Sequence, residues 1–454
     1  LCLHKDLHLA NVHHLAVKRD GVQSIQIEQE SACSSIWGEE EAGLSHIIFH
    51  IDVNSAYLSW TAVEQLKNGA EVDIRTIPAI IGGDRESRHG IVLAKSSSAK
   101  KFGIRTGEPV VNAFRKCPNL HMDPPNHRMY REYSRRLMDF LRTYTSEIEQ
   151  VSVDECYMDF TGIAQRFSSP VEAAYEIKAR VYEKFGFTVN VGISTNKLLA
   201  KMASDFEKPN RVHTLFPEEV REKMWPLPVS ELFMAGKSSV AILEKLEIRT
   251  IGELAQTDPK LLEFHLKSHG RTLWEFANGI GDAKVQSEET AAKGVGNSTT
   301  LPKDVEKAED AKKVLFSLAE SVGKRLRKAG QKANMVSVEI RYSDFQNVSH
   351  QKQLGRASGA DQVIYEAACS LFDELWNGEP IRLLGVRTAK LVDEDEPEQL
   401  SLFDLQFKVK SEKPKKSMEK LKKLSAAMGE IRGRYGADAV IRGSVLEQRK
   451  REER

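Results

Sequence analysis

Residues 46–60 read HIIFHIDVNSAYLSW, and two later stretches bear on them: SVDECYMD at 152–159 and TVNVGI at 188–193. The first is an apolar run closing on Asp52, the pattern of a buried strand. Positions 55–66 then predict a helix with Ser55 as its cap. Positions 150–160 alternate over part of their length and predict a second strand that carries Asp154 and Glu155 together. A helix is expected over 170–185 and a third strand over 188–193. If these strands are neighbours, Asp52, Asp154 and Glu155 converge at one sheet surface.

One aspartate at a strand end is ordinarily a cap or a turn residue. Three carboxylates at one surface are different, because they repel one another unless cations neutralise them. Hard divalent ions with oxygen ligands, above all Mg²⁺, meet that need and still keep positions for water and phosphate oxygens. Two such ions can clamp the attacking and leaving oxygens of a phosphoryl transfer.

Working outward, 72–118 predicts short strands mixed with Gly- and Ser-rich loops, and 130–148 a long amphipathic helix. A helix-rich block spans about 215–285. In 334–341 (NMVSVEIR), Val336, Val338 and Ile340 alternate with Ser337, Glu339 and Arg341, a period-2 strand. Helices over 308–329 and 361–377 and a strand near 381–391 complete an α+β module. The acidic stretch DEDEPE at 393–398 is a linker by composition, and a Lys-rich helical tail follows.

The whole chain has 454 residues, 41% of them apolar and 29% charged, enough for several cores under a well-solvated surface. No run approaches the roughly 20 apolar residues of a membrane helix, so no membrane partner is expected. Cys2, Cys33, Cys117, Cys156 and Cys369 form no CxxC pair, the pattern of reduced thiols in a cytoplasmic protein. Residues 1–45 hold 3 basic and 7 acidic residues, a net −4, and read as an atypical extension without a signal peptide. Its His4, His8, His13 and His14 lack the Cys or carboxylate partners of a tetrahedral metal site.

Residues 46–60, 152–159 and 189–210 together resemble the Y-family translesion DNA polymerases, over about 46–405 of this chain. The resemblance implies an α+β multidomain right hand: palm at 46–55 and 121–214, fingers at 56–120, helical thumb at 215–289 and an α+β little finger at 290–391. It implies a template-directed DNA polymerase that uses deoxynucleoside triphosphates on primer-template DNA, with no separate proofreading domain. Asp52, Asp154 and Glu155 match the catalytic, metal-binding carboxylates, and Val53 would add its backbone carbonyl. Two Mg²⁺ ions are the implied cofactor. Tyr57 matches the steric-gate aromatic that fills the space of a ribose 2′-hydroxyl; by itself it reads as a core aromatic. Lys208, in Glu207-Lys208-Pro209-Asn210, matches the triphosphate-contacting lysine.

The chain departs from the family at 95–103, KSSSAKKFG. Ser97 stands where many relatives carry tyrosine and Lys100 where they carry arginine, both triphosphate contacts. Serine is shorter, and lysine is a point charge in place of a planar fork. Lys197 and Lys201, at i and i+4, are left open between phosphate and water. Positions 90–93 align with the fingers surface over the new base pair. Positions 233–237 and 248–252 resemble helix-hairpin-helix turns, whose backbone N–H groups can meet phosphate.

Gln399, Leu400, Ser401, Leu402 and Phe403, inside the 392–410 linker, resemble the bacterial sliding-clamp-binding peptide, so a clamp is the implied partner of an otherwise monomeric enzyme. Two rival classes stand beside this reading. A catalytically silent DNA- and clamp-binding relative would fit the changes at Ser97 and Lys100 but not the intact carboxylates. A palm-fold nucleotide cyclase would not need a thumb, a little finger or a clamp peptide. The total charge of +1 does not exclude nucleic acid, because 290–391 alone holds 16 Lys+Arg against 12 Asp+Glu.

Overall fold

The computed structural model describes residues 46–84, 90–288 and 291–396, with five isolated positions between 427 and 439. Residues 1–45 and the 399–403 peptide lie outside the described residues.

Strand β1 (Ile48–Val53) runs through the centre of the molecule's first sheet. Helix α1 (Ala56–Lys67) follows it. Ser55 does occupy the N-cap position, but in a left-handed conformation and without a capping hydrogen bond. Its hydroxyl donates instead to the Lys95 carbonyl, and Ser59 returns a hydrogen bond to the Asn54 carbonyl.

The next segment forms a small sheet from β2 (Ala79–Gly82), β3 (Val92–Lys95) and β4 (His121–Asp123), ordered β3-β2-β4. The expected loops there contain two short helices, α2 (Ser97–Lys101) and α3 (Val110–Lys116). The serine run caps a helix: the Ser96 hydroxyl accepts from the Ala99 N–H at 3.0 Å.

Helix α4 (His127–Leu141) buries Tyr130, Tyr133, Leu137 and Leu141. It ends short of the expected 148, because Thr143 bonds back to the Phe140 carbonyl and Ile148 begins an edge strand. Strands β5 (Ile148–Gln150) and β6 (Glu155–Asp159) follow. Helix α5 (Pro170–Phe185) keeps its expected bounds, with Ser169 capping the Glu172 N–H, proline in the first turn and Gly186 ending it at φ 79°. Strand β7 (Val189–Ser194), helix α6 (Lys197–Asp205) and β8 (Val212–Thr214) complete the unit.

The five-stranded sheet has the order β5-β6-β1-β7-β8. One face packs on α4 and α5: Phe49, Ile51 and Val53 join Leu137, Ile177 and Val181 in one core. Phe49 stacks on Phe160 at 4.4 Å. Each such fully buried side chain contributes about 1.5–3 kcal/mol. The other face of β1 presents His50 and Asp52 toward α6.

A helical unit holds α7 (Lys237–Lys245), α8 (Ile251–Gln256), α9 (Pro259–Leu266) and α10 (Ser268–Ala277), and its core takes in Leu198, Leu199 and Met202 of α6. The last unit is an antiparallel sheet of β9 (Gly294–Val305), β10 (Gln331–Tyr342), β11 (Asn347–Ser358) and β12 (Ile381–Asp393), ordered β11-β10-β12-β9. Helices α11 (Ala308–Lys328) and α12 (Asp361–Leu375) cover one face, where Val336, Val338 and Ile340 are fully buried. An open trough of about 800 Å³ runs over the opposite face, past Ser298, Ser337, Glu339, Gln351 and Arg387. No helix among the described residues is long and apolar enough to cross a membrane. Cys117, Cys156 and Cys369 are free.

Candidate active site

Register brings the first two carboxylates together. Asp52 on β1 lies directly opposite Glu155 on β6 and Asn190 on β7. Asp154 does not sit on the strand as expected. Residues 151–154 form a tight bend in which the Val151 and Ser152 N–H groups both donate to the Glu155 carbonyl. The Ser152 hydroxyl grips Asp154 Oδ1 at 2.6 Å, and the Asp154 carbonyl accepts from the Val53 N–H at 3.0 Å. Asp154 thus reaches the site from the strand's threshold and is tied to Val53.

Burial is the main cause that pushes the Asp154 carboxyl up, and the Asp52 and Glu155 charges add to it. Glu155 moves the other way. His50 and Lys201 hold it ionised against burial, down to about 2. Lys201 Nζ lies 2.8 Å from Glu155 Oε2. Lys208 pairs with Asp52 and with Asp205. Burial works against the Lys208 ammonium, but these two carboxylates outweigh it and lift its pKa.

Two of the three carboxylates therefore rest on lysines. Among the described residues no three His, Cys, Asp or Glu side chains are gathered closely enough to cage an ion. The donor set nonetheless suits a hard divalent cation: oxygen ligands only, one of them destabilised by burial and by like charge.

Tyr57, on the first turn of α1, stacks on Tyr130 at 4.3 Å with rings 9° apart, and His127 meets it edge-on. It is half-buried: one face packs as a core aromatic packs, while burial and the Asp154 charge raise its pKa. Ser97 and Lys100 are exposed on α2. Lys197, left open by the sequence, bonds to Glu149 at 3.0 Å and approaches Asp282 at 3.4 Å; neither it nor Lys201 simply faces water.

Four residues escaped the sequence reading. His50 is fully buried, 2.8 Å from the Ser204 hydroxyl and 3.3 Å from Glu155. Burial holds it below the usual histidine value. Asn54 and Asn190 bond to each other at 3.0 Å. Asn190 also donates to the carbonyls of Ser204 and Glu207, and Asn54 accepts from the Asn210 N–H, so together they fix the turn that carries Lys208. Their signal was present: Asn190 lies inside an apolar strand and Asn54 directly follows one, and buried polar residues demand partners. Gly192, opposite His50, lets α6 approach; a Cβ there would lie 1.9 Å from the Ala200 carbonyl oxygen.

Farther out, parts of the expected DNA-binding charge are spent internally. Arg327 pairs with Asp361 at 2.5 Å, and Arg325 donates to the Gly296 carbonyl. Gly236 and Thr250 stand at helix N-caps in the two expected hairpin turns, and Thr250 forms a capping box with Glu253.

Two carboxylates in register at the centre of a five-stranded sheet and a third on the adjoining bend, with helices behind them and an α+β module beyond, define a polymerase-like hand. The fold matches a solved Y-family DNA polymerase chimera with a TM-score of 0.67, over 76% of this chain and 99% of that one, at 23% identity. Residues 51–205 match the impB/mucB/samB family, and 292–402 match that family's C-terminal domain. The chain is 46% identical to a DNA polymerase IV of Clostridium acetobutylicum over 89% of this chain and 99% of that protein. It is 35% identical to one of Acetivibrio thermocellus over 89% and 99%. The chain belongs to the impB/mucB/samB family, with the α+β multidomain architecture of the Y-family hand.

Proposed function

We propose that this chain is a template-directed DNA polymerase of the translesion type, adding deoxynucleotides to a primer 3′ end without proofreading. The observation that carries it is the Asp52–Glu155 pair in register, with Asp154 beside it, in a chain similar along its length to DNA polymerases IV. The pairing of Asp52 and Glu155 with lysines argues against a silent relative, since charge compensation holds these two carboxylates side by side in the site.

The site residues divide by role. Asp52, Asp154 and Glu155, with the Val53 carbonyl, would hold two Mg²⁺ ions, which supply the positive charge that a transferring phosphoryl group requires. Lys208 is the mobile counter-charge: it neutralises Asp52 at rest and turns to the triphosphate when nucleotide arrives. Tyr57, braced by Tyr130, stands against the sugar. Lys201 and His50 keep Glu155 ionised and oriented. Ser97 and Lys100 belong to the fingers side of the nucleotide pocket. The work of the chain is positioning and charge neutralisation.

We assign 46–55 and 121–214 to the palm, 56–120 to the fingers, 215–289 to the thumb and 290–391 to the little finger, whose open trough faces duplex DNA. The 399–403 peptide would recruit a sliding clamp, raising the effective concentration of a monomeric cytoplasmic enzyme at the primer end. Primer extension with and without divalent ion, comparing wild type with Asp154→Ala, tests the reading. Ion-dependent extension by wild type alone supports it; no extension by either protein returns the silent relative.

A further inference from the structure

Ser97 and Lys100 leave the fingers side of the pocket without a tyrosine hydroxyl or a planar guanidinium. Strand β3 holds another cation in the same place. Its side chains alternate: Val92 and Ala94 are buried, while Leu93 and Lys95 share the other face. Lys95 is the strand's last residue. The Ser55 hydroxyl donates to its carbonyl at 3.2 Å, which ties the strand end to the turn just after Asp52 and Val53.

The Lys95 ammonium is partly buried and bonds to the Thr106 hydroxyl at 3.1 Å. Among the described residues no carboxylate forms an ion pair with it. The nearby Glu108 is taken by Lys116 at 2.5 Å and by the Arg105 N–H at 3.0 Å. Burial, and next the Lys100 charge, hold Lys95 below the ordinary lysine value. The Lys100 charge acts on Lys95 more strongly than the Glu108 carboxylate does, so the two ammonium groups are under-neutralised, and an anion relieves both. The Thr106 hydroxyl carries no charge to neutralise the ammonium, whereas a phosphate oxygen accepts the same hydrogen bond and supplies the counter-charge.

We propose that Lys95 is a nucleotide-binding residue: with Lys100 it forms a two-lysine subsite on the fingers that receives the triphosphate of the incoming deoxynucleotide. The inference rests on the polymerase reading. As nucleotide enters, Lys95 exchanges the Thr106 hydroxyl for a phosphate oxygen. A template-strand phosphate offers the same chemistry, but the triphosphate concentrates several charges at one place, which a lysine pair matches better.

The test compares wild type, Lys95→Met and Lys95→Arg in single-nucleotide extension, in inhibition by inorganic tripolyphosphate and in primer-template binding. Lys95→Met should raise KM for the nucleotide roughly tenfold with kcat within about twofold. Tripolyphosphate inhibition should weaken by the same factor, and Lys95→Arg should restore both. Primer-template Kd and its salt dependence should not move. An unchanged KM overturns the proposal. So does weakened DNA binding at constant KM, which would put Lys95 on the template backbone. Should wild type fail to extend any primer, the polymerase reading falls, while calorimetric binding of tripolyphosphate to the resting protein still decides the subsite.

Discussion

Replacing Lys201 with methionine keeps most of the side-chain stem and removes one charge. In the native fold that charge lies 2.8 Å from Glu155, with both side chains about four-fifths buried (17% and 21% exposed). Removing one partner of a fully buried pair costs about 3–5 kcal/mol. His50 still backs Glu155 and some solvent reaches the site, so about 2 kcal/mol is expected here. That corresponds to roughly 30-fold faster local opening. Amide hydrogen exchange in peptides covering Ile48–Val53 and Val189–Ser194 would report it. The pH dependence has a definite sign. Glu155 is held down to about 2, so its contribution is full above the unfolded-state carboxylate pKa and is lost as pH falls toward 2. The gap between wild type and Lys201→Met should therefore be constant from neutral pH to about 5 and narrow below that. Equal exchange rates at pH 7, or a gap that widens in acid, would refute the argument that Lys201 stabilises the ionised glutamate.

Other perturbations follow from the same geometry. Tyr57→Ala should raise ribonucleotide incorporation relative to deoxyribonucleotide, while Tyr57→Phe keeps the ring against Tyr130 and should not; unchanged sugar discrimination in Tyr57→Ala would remove the gate role. Gly192→Ala should prevent stable folding, because backbone atoms of α6 lie 1.9 and 2.4 Å from the new Cβ; a normal thermal melt would contradict the close approach. Lys208→Met should raise the nucleotide KM roughly tenfold, read by steady-state kinetics, with primer-template affinity unchanged. Deleting 399–403 should abolish stimulation by a sliding clamp while leaving clamp-free extension intact.

Parts of the fold were legible because their signals are local. Strands β1 and β7 and helix α5 carry apolar runs or caps that fix them within a few residues. The bounds of β9 and β11 were not legible, because little burial betrays them: β11 is exposed along most of its length, and β9 contains Gly294, Gly296 and Pro302. The carboxylates could be picked out by their family motifs, but the bend at 151–154 could not. It depends on the Ser152 hydroxyl meeting its neighbour's carboxylate and on Val53 reaching the Asp154 carbonyl. The ion pairs of Lys201 with Glu155 and of Lys208 with Asp52 were hidden for a related reason. Their partners lie 46 and 156 residues away, and sequence spacing carries no information about contacts made only when β1, β6 and α6 come together. His50 was read only as part of an apolar strand. Its partner, Ser204, comes from a helix that Gly192 allows to approach.

The central claim is that Asp52, Asp154 and Glu155 direct nucleotidyl transfer on a template. One-nucleotide extension on four templates differing only in the templating base, with each deoxynucleotide supplied singly, tests it most directly. Wild type should favour the complementary nucleotide on each template and require a divalent ion, and Asp52→Ala should lose activity by about a thousandfold or more. Products independent of the template, or extension undiminished in Asp52→Ala, would contradict it.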